Sequence, residues 1–483
     1  MFQFFRSKLQ NNKDAFQLYL GNALITLSSF IIVASLAHIL TNEIYGIYRF
    51  VITISTLAIT LGSLGFANAL YYFLSATEKS SHANQINSSR IAMLIMAIIT
   101  LLITKLIFVF FENKLQSFQF NQYQWIIAGI VLIGILQSIE LNVFLINKKV
   151  KIYMISNLIL IVFRIITLCL AYYQNWSLML LLQIHLALSF CFFIINQMLI
   201  NQFNLIKHFS FDWTIVKTQF KYGFPIGLGL FFGVLLLNTD RIILTSFFPD
   251  PTQFAVIANG NFEVPIITQF YIAFSAIALP LLIEAYQSKN IDRFLEIRLK
   301  YQQEIILILF PIVFALMNWS GPIIRMIFGA NYSDSAPLFM IFAGSFLIRF
   351  TSHHDVFLAT KQTKYISIIQ GIELIFHIVL TYVLILNFGI IGSSYAYLLT
   401  NIFYFLITSY ISAKIIGVSI WKIHAWNSII PNLLLCAFIL TAFRSMDAAF
   451  IYSDIQALSL AGVYVIFCYM LLNYRHAVIL KNG

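Results

Sequence analysis

Apolar runs long enough to cross a lipid bilayer recur along the whole sequence, and that recurrence leaves few folds open to the chain. About 20 apolar residues cross the hydrocarbon core as one helix. On that measure spans are predicted near 15–40, 44–74, 91–111, 124–146, 152–173, 177–200, 223–247, 252–284, 301–320, 336–358, 365–387, 391–413, 427–443 and 455–473. The run at 252–284 is too long for a straight crossing and requires a tilt or a kink. Backbone polar groups in lipid must be satisfied within the segment, so the expectation is an all-α integral membrane protein of about fourteen helices.

Composition supports this. Only 10% of the 483 residues are charged and the mean hydropathy is +0.87, whereas soluble domains carry roughly a quarter charged residues. Almost every connection between spans is short, which leaves no room for a soluble catalytic domain. The first run is too long for a signal-peptide core and reads as the first span. Cys169, Cys191, Cys436 and Cys468 lie in apolar runs without CxxC spacing, and read as small core hydrophobes rather than disulfide partners or metal ligands.

The net charge of +11 would suit nucleic acid if the cations were clustered, but they are dispersed among short loops. Of 29 Lys and Arg, 21 fall in alternate loops starting with the N-terminal one. Only Lys114, Arg325 and Arg444 fall in the other set. A miscounted helix would invert this bias for everything after it. The split therefore predicts cytoplasmic loops on the lysine-rich side and both termini inside.

The link at 201–222 divides the first twelve spans into six and six. The expected organisation is an N-lobe over 1–221, a C-lobe over 222–414 and a C-terminal helix pair over 415–483. Asp212, Trp213, Ile215, Val216 and Phe220 among Lys207, Lys217 and Lys221 suit an amphipathic helix lying on the inner surface; a plain loop is equally compatible. Tyr19-Leu20-Gly21 with Ile44-Tyr45-Gly46, and Tyr222-Gly223-Phe224-Pro225 with Phe254-Ala255-Val256, hint at a parallel duplication of the two lobes.

Charges at membrane depth cost roughly 2.5–3.5 kcal/mol each on insertion scales, so they normally face a partner or a wet interior. Arg49, Lys105, Arg164, Arg241 and Arg349 fall within spans. Arg49, Arg164, Arg241 and Arg349 are candidates for a cationic cavity, because a guanidinium fork matches phosphate oxygens. For Arg241 an ion pair with Asp240 or Glu263 is an equal alternative. Lys105 and Arg349 lie where a side chain can snorkel toward an interface.

Four acids, Asp240, Glu140, Glu263 and Glu373, are the candidates for coupling to H⁺ or Na⁺; charge compensation for an arginine is the plainer reading. Glu263 and Glu373 have no neighbouring cation in the sequence, which favours them as proton carriers over Asp240 beside Arg241. His353-His354-Asp355 does not have chelating spacing on a helix. His377, four residues after Glu373, is a polar-pair candidate. No nucleotide-binding, hydrolase or metalloprotease motif is found, so neither an enzyme nor a cofactor or metal is expected.

The stretch Tyr222 to Leu244, YGFPIGLGLFFGVLLLNTDRIIL, resembles the seventh span of Wzx-type oligosaccharide flippases. Glu43-Ile44-Tyr45-Gly46-Ile47-Tyr48 looks like the opening of that family's second span. Phe328-Gly329-Ala330-Asn331-Tyr332 followed by Ala336-Pro337-Leu338 looks like its outer loop before span ten. The resemblance implies the polysaccharide-transport branch of the MOP exporter superfamily, with two MATE-like six-helix lobes. It further implies a polyprenyl-pyrophosphate-linked oligosaccharide (O-antigen or another polysaccharide repeat unit) as cargo, and a bacterial inner membrane as location. A polysaccharide polymerase and a chain-length regulator are the protein partners it implies, beside membrane lipids and without nucleic acid. A drug/cation antiporter of the same superfamily remains an alternative, and a membrane polymerase or glycosyltransferase a weaker one.

Overall fold

The structure is a computed structural model that describes residues 13–76, 79–202, 211–350, 354–450 and 453–482. Among these residues it contains helices and short 3₁₀ turns, and no strand. Eleven helices among the described residues are long and apolar enough to cross a membrane. Three shorter apolar helices, Leu24–Ile39, Ile277–Gln287 and Ser335–Ile348, fall in the predicted first, eighth and tenth spans. The chain is a multi-pass membrane protein. It divides into two compact units, residues 1–238 with 244–255, and residues 239–243 with 256–483.

The first unit contains α1 (Lys13–Ile39), α2 (Asn42–Ser63), α3 (Phe66–Ala76), α4 (Lys79–Leu115), α5 (Phe120–Gln137), α6 (Glu140–Ile146), α7 (Val150–Gln174) and α8 (Leu178–Gln202). Helix α2 packs on α4 and α5, and α7 packs on α1 and α8. Phe50, Phe118 and Phe254 form a ring cluster, with centroids 4.5–5.8 Å apart, that fixes one end of α2. The predicted second span is broken at Leu64 and Gly65, both at positive φ (34° and 74°). Glycine tolerates this backbone because it has no Cβ, and the break lets α9 (Trp213–Phe247) approach closely at Gly223 and Gly227.

The surface helix considered for 201–222 is not separate where it can be seen. Residues 203–210, which include Lys207, lie outside the described residues. From Trp213 the chain runs as one helix to Phe247. Its start is fixed by Asp212, whose carboxylate accepts from Thr214 N at 2.8 Å and whose own N–H donates to Ser88 Oγ at 3.0 Å. Val216 and Gln219 are buried. Gln219 accepts from Ser89 Oγ at 2.7 Å, so these turns dock on protein.

The second unit contains the later half of α10 (Pro251–Gly260; its residues 251–255 belong to the first unit), α11 (Pro265–Gln287), α12 (Ile291–Asn318), α13 (Ser320–Phe328), α14 (Ser335–Gly344), α15 (Asp355–Ala359), α16 (Lys364–Phe388), α17 (Ile391–Ile416), α18 (Trp426–Phe450) and α19 (Asp454–Asn482). Helix α12 is its hub and packs on α11, α14, α18 and α19. Trp319 and Tyr464 bury the seam with the C-terminal pair, and Tyr464 donates to the Cys436 carbonyl at 2.9 Å. Cys436 and Cys468 are buried, as expected of core thiols. Cys169 and Cys191 instead lie on exposed helix faces.

A buried polar clamp holds the loop before α18. Arg298 Nε and Gln302 Nε2 donate to the Ile423 carbonyl, each at 3.3 Å, and Gln302 Oε1 accepts from Ala425 N at 2.9 Å. Both nitrogens of His424 are occupied, Nδ1 by Gln302 at 3.2 Å and Nε2 by Ser409 at 2.8 Å. Burial, with the nearby Arg298 cation second, pushes the imidazole down to about 3.

An unfolded histidine protonates near 6.5, so the unfolded chain takes up this proton while the folded one does not. The stability is therefore complete above pH 6.5 and is lost on acidification at roughly 1.4 kcal/mol per pH unit. Between pH 7 and 5 the clamp should lose roughly 2 kcal/mol. Melting temperatures in detergent at the two pH values should fall more for the wild type than for His424→Gln. Equal falls would remove His424 as the cause.

Candidate functional site

Breaks in membrane helices are tolerated where the freed backbone is buried in protein or lines a cavity. The predicted eighth span has one. Helix α10 ends at Gly260, and Pro265 opens α11 as its first residue, where its missing N–H leaves no helix bond unmade. The residue before proline is pushed out of the helical region, and Val264 is extended at φ −75°, ψ 113°. The predicted tenth span also loses its α form, passing through a 3₁₀ turn at Ser345–Ile348. Residues 351–353, including His353, lie outside the described residues. Glu263 sits in the first break, and Arg349 follows the 3₁₀ turn.

These two side chains meet. Arg349 pairs with Glu263 at 2.9 Å, and each is about a quarter exposed. A second nitrogen donates to Glu263 Oε2 at 3.0 Å. Tyr397 on α17 closes a triangle: its hydroxyl accepts from Arg349 and donates to Glu263 Oε1 at 3.2 Å. The guanidinium also lies 5.2 Å from the Phe346 ring centroid. Arg349 is thus held inside the unit rather than snorkelling, and Glu263, which has no cation beside it in sequence, has one in space. Glu373 is buried on α16 within electrostatic reach of Arg349. His377 does not pair with it but is hydrogen-bonded to Thr400 Oγ1 at 3.0 Å.

Asn261, in the same break, organises a second group. Its amide donates to the buried Asp240 carboxylate at 2.6 Å, and its side-chain oxygen accepts from Ser394 at 2.6 Å. Its main-chain carbonyl, freed by the break, accepts from Arg241 at 3.0 Å. His354 meets Tyr404 at 2.7 Å, and Asp355 accepts from Ser275 at 2.8 Å. Each of that motif's described members therefore serves a different neighbour.

The first unit carries its own polar groups. Arg49, half-buried on α2, donates to Tyr45 at 2.9 Å and lies over its ring. Arg164 on α7 donates to Ser189 on α8 at 2.7 Å, while its Nε is buried without a hydrogen-bond partner among the described residues. Tyr48, on the helix that carries Arg49, is within electrostatic reach of Arg164. Glu140 is buried, and both of its oxygens accept amide N–H groups, from Asn196 at 2.8 Å and Gln197 at 2.7 Å. Arg90 in turn donates to Gln197. Lys105 is exposed on α4.

Residues 12–286 match the family described as polysaccharide biosynthesis protein. The chain belongs to that family. No curated protein matches it in sequence. Among solved structures, the lipid II flippase MurJ in an inward closed conformation superposes with a TM-score of 0.74 at 14% identity, covering 95% of this chain and 99% of that one. An inward-facing MATE-family multidrug resistance transporter of the MOP superfamily gives 0.61 at 14% identity, covering 81% and 94%. A MOP superfamily transporter from Pyrococcus furiosus gives 0.59 at 12% identity, covering 83% and 94%. This member of the polysaccharide biosynthesis family therefore shares its fold with these three structures.

Several partners escaped the sequence. Tyr397, Ser189 and the Ser393-Ser394 pair sit in ordinary-looking apolar helices. The one available cue was Gly392-Ser393-Ser394, small and polar residues inside a span.

Proposed function

We propose that this protein flips a polyprenyl-pyrophosphate-linked oligosaccharide from the cytoplasmic to the outer leaflet of a bacterial inner membrane by alternating access. The observation that carries this reading is the polysaccharide-biosynthesis match spread over residues 12–286 of a transporter fold. Arginines held at membrane depth in polar cages support an anionic headgroup as cargo, since a guanidinium fork suits phosphate. An H⁺ or Na⁺ gradient supplies the energy in this reading, with Glu373, Glu140, Asp240 and Glu263 as the carboxylates available to couple it.

Deleting the gene in its host should trap lipid-linked repeat units on the cytoplasmic leaflet, as read by accessibility to an impermeant sugar label. Normal surface glycan in a host with no redundant flippase would sink the proposal. Arg164→Ala should abolish glycan export without loss of protein from the membrane fraction. Its Nε has no hydrogen bond among the described residues to lose, and Ser189 keeps its bond to the His185 carbonyl at 2.8 Å. Export at the wild-type level would take Arg164 out of the transport path.

A further inference from the structure

Helices α7 and α8 leave between them an outward-opening apolar groove of about 480 Å³. Ile155, Ile159 and Phe163 form one wall, and Leu188, Phe192 and Ile195 the other. None of these residues belongs to the polar groups described above, and the volume is that of a ligand cleft, roughly 300–1,000 Å³. Two features decide what fits. The groove runs from Ile152 to Phe163, and at 1.5 Å per residue it is roughly 17 Å long. That is about half of the ~30 Å hydrocarbon core, the depth of a single leaflet.

The second feature is a pair of lysines at the mouth beside Ile152. Lys151, four residues before Ile155, lies one turn below it on the same helical face, and Lys148 lies in the turn just before α7, with φ 56°. Both lysines are exposed, and the positive-inside bias places this end at the cytoplasmic surface.

We propose that this groove seats one acyl chain of an anionic phospholipid of the cytoplasmic leaflet, with its phosphate at Lys148 and Lys151. The length argues for a phospholipid over a polyprenyl carrier, whose longer chain would overrun a groove that ends at mid-membrane. At its floor, Ser156 donates to Asn196 at 2.8 Å, and Asn196 holds Glu140. An occupied groove covers the Ser156 end of this network and keeps the pairing of α7 with α8 dry.

The test uses the full-length protein in phosphatidylcholine nanodiscs doped with phosphatidylglycerol carrying a photoactivatable acyl chain. Crosslinks should concentrate on Ile155, Ile159 and Ile195 over Ile368, Ile372, Ile375 and Val379, an exposed apolar face of α16. A phosphatidylcholine probe with the same chain should not show this preference. Each lysine near a membrane surface contributes about fivefold in binding, so K148Q/K151Q should lower groove labelling by roughly 25-fold. Ile159→Trp should fill the groove and remove the label. If that variant misfolds, the surface lysine pair still decides. Even labelling of the two faces, equal labelling by phosphatidylcholine, or no loss in K148Q/K151Q would overturn the proposal. So would displacement of the probe by polyprenyl phosphate but not by unlabelled phosphatidylglycerol.

Discussion

Arg349→Ala should destabilise the second unit by roughly 2–3 kcal/mol and abolish export. Removing one member of a fully buried pair costs about 3–5 kcal/mol, because the remaining charge is left uncompensated. This pair is about a quarter exposed, which lowers the figure. Among the described residues, the mutation leaves the Glu263 carboxylate in the break between α10 and α11 with the Tyr397 hydroxyl and a long contact from Thr268 Oγ1 at 3.4 Å. Glu263→Gln should cost less, since Gln keeps an acceptor oxygen for Arg349 and Tyr397, although it leaves the Arg349 cation without its counter-charge.

Arg349→Lys should behave more like the alanine variant than a conservative change. An ammonium cannot reach Glu263 and Tyr397 with the geometry of a planar fork while lying over the Phe346 ring. Melting temperature in detergent and glycan export, read on the wild type, the three single variants and the double variant, check this. If Arg349→Ala and Glu263→Gln together cost the sum of the two single changes, the residues are not coupled and the ion-pair account fails.

The sequence made the membrane helices legible because hydropathy over 20 residues and the lysine bias both integrate over many side chains. Where helices break was less legible. The excess length of 252–284 called for a kink, and Pro265 marks where it falls, yet Leu64 at φ 34° carries no local signal beyond the glycine after it. Pairings at the candidate site were least legible. Glu263 and Arg349 are 86 residues apart, and no pattern within either span encodes the other. Adjacency told only part: the Asp240 carboxylate accepts from the Arg241 backbone N–H at 2.8 Å, while the break at Asn261 supplies that carboxylate and the Arg241 guanidinium with a further partner each. Glu140 was visible as a charge in a span, but its two carboxamide donors lie on α8, which composition alone presents as plain lipid-facing helix.

The same limits explain why glycine spacing on α9 is the stronger handle on folding. Gly227→Ala should disrupt the first unit, whereas Gly233→Ala, two turns along the same helix, should be neutral or slightly stabilising. A Cβ built on Gly227 would lie 2.0 Å from the Leu64 carbonyl carbon and 2.3 Å from Gly65 N. Those are backbone atoms, so no rotamer change can relieve the overlap. Gly223, one turn earlier, is 2.8 Å from the Gly65 carbonyl oxygen on the same measure, and together they form the G-x-x-x-G face that lets two membrane helices touch main chain to main chain. Gly65 itself carries a double constraint, with φ 74° and a Cβ position 2.1 Å from the Gly223 carbonyl oxygen.

Forcing a methyl into a packed interface costs about 1–3 kcal/mol. At Gly65 the left-handed backbone adds roughly 1–2 kcal/mol for a residue with a side chain, so Gly65→Ala should be worse than Gly227→Ala. Around Gly233 nothing lies within 4 Å of the built Cβ. There, alanine gains roughly 0.4–1 kcal/mol from a less flexible unfolded chain. Yield of monodisperse protein after detergent extraction should therefore fall in the order Gly233→Ala, Gly227→Ala, Gly65→Ala. Were Gly227→Ala to extract and melt like Gly233→Ala, the close approach of α9 to the break after α2 would be wrong, and with it the reason the second span is broken at all.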